Sequence, residues 1–149
     1  MISKKTLREL VDQKLKDAEV LIANRRYASA IYMAGYALEL ALKLKICQIF
    51  KFAQGFPENK AEFIIYQNSV KSQPLLAGTI TQIKDIRNHD LNKLLFYSGV
   101  EFRIKLNYLN EWNLVVGWDP EMRYKVQKVL KREVVSKVTA IKTLIRNIL

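Results

Sequence analysis

Between Tyr27 and Phe52 apolar side chains recur on nearly every side of a helical wheel, and this run constrains the chain more than any other feature. A surface helix keeps one apolar stripe, whereas a helix that is apolar almost all round has to be covered by neighbours. Twelve residues, Tyr27 to Leu38, pass without a charge before Glu39 intervenes. That is well short of the ~20 needed to cross a bilayer, so the segment is predicted to be the central helix of a soluble bundle with no membrane span. A chain of 149 residues is long enough to bury such a core in one domain, and none of it reads as a linker. Five Gly and three Pro are too few for an all-β chain full of tight turns. The expected fold is all-α, an antiparallel bundle of four to five main helices over residues 1–149, with a short helix or loop inserted around 53–80.

The segments around this core carry helical periods of their own. Leu7, Leu10, Val11, Leu15, Ala18, Leu21 and Ile22 follow a three-four spacing, predicting an amphipathic helix over Lys4–Ala23 with Ser3 as N-cap. Asn24-Arg25-Arg26 makes a short link to the central helix, which favours antiparallel packing. Gly55 and Pro57 end the central helix, and a short helix from Glu58 to Tyr66 is expected before the polar run Gln67 to Pro74 breaks it into a mobile loop. Weaker helical spacing covers Leu75–Ile86. Asn88 or His89 then reads as a cap with Asp90 in the first turn, Leu91, Leu94 and Leu95 as the buried side, and Ser98-Gly99 as the stop. One helix is expected from Glu101 to Val116 with Phe102, Leu106, Leu109 and Leu114 in the core. Asp119-Pro120-Glu121 should open a long last helix to Leu149, its inner side formed by Val126, Leu130, Val134, Val138, Ile141, Ile145 and Ile148.

The charge is unevenly placed. Of the formal +11, residues 123–149 carry +7 (eight Lys/Arg against one Glu), residues 1–26 carry +3 and the middle +1. A basic face of this kind attracts nucleic acid and other polyanions with a steep salt dependence, and it also serves simply to keep a helix solvated. Lys128, Lys131 and Arg132 are its candidate nucleic-acid contacts, with Lys142 and Arg146 further along the outer side. A lone cysteine, Cys47, makes no internal disulfide. The segment after Met1-Ile2-Ser3-Lys4-Lys5 is charged and amphipathic, unlike a secretory leader, so a cytoplasmic location is expected.

Several chemistries are excluded by composition. One His and one Cys do not make a zinc site, and no glycine-rich phosphate loop or carboxylate-rich metal motif occurs, so neither metal nor cofactor is expected. Cys47 lies deep in the apolar helix, where a thiol is inert, which argues against a pairing with His89. What remains is polar and clustered. Tyr32, Tyr36, Glu39 and Lys43 fall on one side of the central helix, with Glu39 correctly N-terminal to Lys43 for an ion pair. Gly35 in mid-helix costs about 1 kcal/mol against Ala and implies that a neighbouring backbone approaches closely. Glu39, Lys43, Arg87, His89, Asp90, Arg123 and Tyr124 together form a candidate pocket for an anionic nucleotide or RNA. The plainer alternatives are an intrahelical salt bridge, a His89-Asp90 helix-start pair packed over Leu94 and Tyr124, and an Arg123-Tyr124 pair that pins the last interhelical loop.

Arg26-Tyr27-Ala28-Ser29-Ala30, then Ala34-Gly35-Tyr36-Ala37-Leu38-Glu39, then His89-Asp90-Leu91 with Leu94-Leu95, and Trp118 through Arg123-Tyr124, taken in that order, resemble a HEPN domain, the nucleotide-binding domain of higher eukaryotes and prokaryotes. The resemblance covers about residues 4–148, interrupted at 53–80. It implies an antiparallel helical bundle, a homodimer, a small nucleotidyltransferase partner encoded nearby in a toxin–antitoxin setting and, in many members, a metal-independent ribonuclease. Those ribonucleases use an Arg, four to six residues, then a His. The histidine would move protons at the ribose 2′-hydroxyl or leaving oxygen, and the arginine would hold the phosphate.

This chain departs from that motif. The arginine positions before His89 hold Gln82, Ile83 and Lys84, and the histidine positions after Arg87 hold Asn92, Lys93 and Leu94. Lys84 alone has the right sign, and lysine lacks the two-pronged fit to phosphate. The reading that follows is a non-catalytic or accessory module binding a nucleotide, nucleic acid or nucleotidyltransferase. The alternatives are an endoribonuclease toxin acting through His89, Lys84 and Arg87, and a structural bundle for dimerisation.

Overall fold

The structure is a computed structural model, and it describes residues 1–69, 89–126 and 128–149. Among these residues the fold is an all-α helical bundle of seven α-helices and one 3-10 turn. The expected helix over Leu75–Ile86, the cap at Asn88, Lys84 and Arg87 lie outside the described residues.

Helix α1 spans Lys4–Ala23 and opens where expected, with the Ser3 hydroxyl accepting a hydrogen bond from the Thr6 amide at 3.0 Å. Three residues turn the chain, Arg25 taking a positive φ of 58°, and α2 (Tyr27–Ile49) runs back along α1. The all-round apolar pattern of α2 has its predicted cause: α1, α7 (Lys131–Ile148), α4 (Leu91–Tyr97) and the 3-10 turn (Pro120–Tyr124) all pack against it. Helix α2 stops at Ile49, before Phe52, which leaves the helix and stacks on Tyr66 at 4.2 Å between ring centres.

After α2 the chain pairs with its own start, Ile2 and Phe56 exchanging backbone hydrogen bonds of 2.9 and 2.8 Å. Gly55 makes this possible: its φ is +123°, and a Cβ there would fall 2.0 Å from the Ile2 carbonyl oxygen. The next helix, α3, begins at Lys60 instead of Glu58, its first turn held by the Asn59 side chain on the Glu62 amide at 3.0 Å. It continues through Gln67 and Asn68 to Ser69, so the start of the polar run is helical, anchored by the buried Phe63 and Tyr66.

Two expectations fail in the second half. The single helix from Glu101 to Val116 is broken at Tyr108 (φ −137°, ψ 34°) into α5 (Glu101–Asn107) and α6 (Leu109–Val115). Its core is Ile104, Trp112 and Val115, while Phe102, Leu106, Leu109 and Leu114 are 80, 68, 49 and 46 % exposed. The segment carries two apolar stripes set two residues apart, on opposite sides of a helix with 3.6 residues per turn. The stripe that includes Trp112 has the larger area to bury. Likewise Asp119 and Pro120 do start an element, with Asp119 Oδ1 accepting from the Glu121 amide at 2.8 Å, but it is a five-residue 3-10 turn. Helix α7 begins only at Lys131, leaving Val126 and Leu130 exposed. The β-branched Val126 and Val129 weaken helix preference there. From Val134 onward the inner side is buried as expected. No helix of the described residues is long and apolar enough to cross a membrane.

Candidate functional site

Glu39 is the only charged side chain fully buried among the described residues. A carboxylate taken out of water has to be paired, and α2 supplies one partner by helical spacing: Lys43 Nζ lies 2.5 Å from Oε1. The second comes from the residue just before α4, where His89 Nδ1 is 2.8 Å from Oε2. An ionised carboxylate only accepts, so Nδ1 carries the hydrogen of this bond and Nε2 is the nitrogen turned to other partners. The His89 side chain is 44 % exposed. Thus a buried acid fixes the tautomer and direction of an imidazole that reaches the surface.

The neighbouring residues are brought together less completely than the sequence implied. Asp90 is the N-cap of α4, its Oδ1 accepting from the Asn92 and Lys93 amides at 2.9 and 3.2 Å. It therefore lies before the first turn and is occupied by the backbone. Lys43 also lies 5.3 Å from the centre of the Phe56 ring, so it is a structural cation as much as a ligand-facing one. Arg123 reaches the same face of α2 through a hydrogen bond to Tyr32, which holds its guanidinium charged more firmly still, and sits 4.7 Å over the Tyr124 ring. Burial, then the Glu39 carboxylate, pushes the Tyr36 phenol up, so it stays protonated at neutral pH.

Trp118 is the site residue that periodicity did not single out. Its indole lies against Gly35, where a Cβ would come within 2.1 Å of the ring. The close approach implied by Gly35 is therefore made by a side chain, not by a backbone. Tyr32, Tyr36 and Trp118 form a cluster with all three ring centres 6.2 Å apart. Beside it opens a groove of about 550 Å³, lined by His89, Asp90, Trp118, Asp119, Pro120 and Glu121 among others. Three carboxylates on this lining make the mouth beside His89 acidic, where an anion-binding pocket would be basic.

No family model, curated protein or solved structure matches this chain. Its chemistry has to be read from its own residues. No group of three or more His, Cys, Asp or Glu among the described residues is placed to hold a metal. Burial pushes the Cys47 thiol up to about 12, which keeps it out of nucleophilic chemistry at neutral pH. The basic residues are more telling. Lys128, Lys131 and Arg132 are all exposed around the start of α7, and none is paired with a described carboxylate, whereas Lys137 and Lys142 are held by Glu133 and Glu19.

Proposed function

We propose that this chain is an accessory HEPN-type module that binds single-stranded RNA or a nucleotide, and that its basic C-terminal segment is the contact surface. The observation that carries this reading is the set of three exposed, uncommitted cations, Lys128, Lys131 and Arg132, within five residues. These three are available to phosphates without first giving up an ion pair. The acidic lining of the groove supports binding over cutting. Asp90, Asp119 and Glu121 line the groove beside His89, a field that disfavours a phosphodiester there. A small nucleotidyltransferase encoded nearby, in a toxin–antitoxin setting, is the protein partner this reading proposes, with the module itself a homodimer.

Anisotropy of a labelled single-stranded RNA, titrated between about 50 and 200 mM salt, tests the assignment. Neutralising Lys128, Lys131 and Arg132 together should weaken binding and lower the salt slope by about 2, since each lost phosphate contact on a single strand removes roughly 0.7. Affinity and slope unchanged in the triple variant would exclude this face.

One observation favours a second reading, an endoribonuclease. The Glu39–His89 pair is the arrangement that aims an imidazole as a general base, Nε2 being free of the carboxylate and able to take a proton from a ribose 2′-hydroxyl. Cleavage of RNA in the presence of a chelator, lost in His89→Ala and slowed in Glu39→Gln, is its expected signature. Equal turnover by wild type and His89→Ala would dismiss it.

A further inference from the structure

Sharing Gly117 and Trp118 with the His89 groove, a second, more enclosed cavity of about 250 Å³ lies between α2, α6, α7 and the 3-10 turn. Ile31, Trp118, Met122 and Ile141 give it apolar walls, while Asn113 and Lys137 supply its polar groups. It adjoins a shallow trough that shares Leu114 and Lys137 with it and is lined also by Leu130, Arg132, Ser136 and Glu133, the carboxylate being paired with Lys137. Arg132 and Lys137 stand five residues apart on one helix, ~7.5 Å along its axis. The trough thus joins the basic start of α7 to the side of the cavity that Leu114 and Lys137 line.

We propose that this cavity is a nucleobase pocket, into which one unstacked base of a bound RNA strand inserts while the Asn113 amide reads its edge and Lys137 meets its phosphate. The proposal rests on the RNA-binding reading above and specifies where the strand engages. Single-stranded RNA is recognised by splaying bases onto apolar and aromatic surfaces, and an amide side chain offers the adjacent donor and acceptor that match an adenine edge. Asn113 is exposed and without a partner among the described residues. Lys137 is held only by an i, i+4 pair with Glu133 at 3.0 Å, and such surface pairs are weak enough to yield to a phosphate. The Trp118 indole N–H is packed against Gly35 of α2, so Trp118 offers the cavity apolar ring surface and not a donor.

The test compares a labelled oligoadenylate of about ten nucleotides with an abasic oligomer of equal phosphate number, by anisotropy at one salt concentration. Oligoadenylate should bind about tenfold more tightly than the abasic strand, the scale of one stacked and edge-read base. Asn113→Ala, at an exposed position that leaves the core intact, and Ile141→Phe, which fills the cavity, should each bring the two affinities towards parity while abasic binding holds. Equal binding of both oligomers by the wild-type protein, or an undiminished preference in Asn113→Ala, overturns the pocket and leaves the basic face standing. No salt-dependent binding of either oligomer overturns both.

Discussion

The α1–α2 hairpin and the chain from Glu101 to Lys131 are built on opposite plans. In the hairpin two long helices lie along each other with a three-residue link, and burial is spread over many small and medium side chains, Leu7, Val11, Leu38 and Leu42 among them. From Glu101 onward no α-helix is longer than seven residues until α7 begins, and much of the apolar surface faces outward. Two tryptophans anchor this stretch. Trp112 is buried and donates from its indole to the Asn92 side chain at 3.3 Å, and Trp118 wedges against Gly35. Distributed burial gives a scaffold whose stability is shared among many side chains. Anchored loops give surfaces, and residues of this stretch line the acidic groove, the cavity and the trough alike.

The contrast is sharpest at an anchor. Trp112→Ala should cost about 3–5 kcal/mol, the range for deleting a fully buried large side chain, and that is a large share of the roughly 5–15 kcal/mol that holds a domain together. Urea denaturation followed by far-UV circular dichroism reads it. A loss below about 1.5 kcal/mol, where core truncations rarely fall, would mean that the second half does not hang on this ring.

Gly35→Ala tests the joint between the two regions. On α2 alone the change should help, because alanine is favoured over glycine in a helix by about 1 kcal/mol. Its Cβ would come within 2.1 Å of Trp118, however, so the wedge has to move. The expected outcome is a net loss of about 1–3 kcal/mol, the usual scale for overpacking, with a change in tryptophan emission while the helical content of the hairpin holds. Stabilisation with unchanged emission would show that Trp118 is not held by this contact.

How far the sequence could be read follows the same division. Around α1 and α2 one stripe or one apolar cylinder dominates, so Ser3, the link at Asn24 to Arg26 and the Glu39–Lys43 pair all fall where spacing puts them. Spacing also kept His89 in view as the lone histidine. It had no means of pairing His89 with Glu39, fifty residues away in sequence, because that contact is made by the packing of α4 on α2. Around α5 and α6 the period was ambiguous, since Phe102-Leu106 and Ile104-Trp112 are equally good stripes until something decides which faces α7. Trp118 left one legible trace, the glycine opposite it. The early stop of the last helix left only the β-branched Val126 and Val129.

The smallest predicted effect separates those two stripes most cleanly. If Phe102 and Leu106 belonged to the core, Phe102→Ala would cost about 3–5 kcal/mol and Leu106→Ala about 2–5. At 80 and 68 % exposure neither ring nor isobutyl group leaves a cavity when cut back. Each substitution should therefore stay within about 0.5 kcal/mol of the parent, as surface changes do, and the alanine even favours the helix of α5 slightly. Chemical denaturation of the two single variants alongside Ile104→Ala makes the comparison internal to one helix. Ile104, fully buried two residues from either of them, should lose about 2–5 kcal/mol. Equal losses at 102, 104 and 106 would mean that the outward stripe is covered in solution, and then the choice between the two faces of α5 would be made by whatever covers it and not by Trp112.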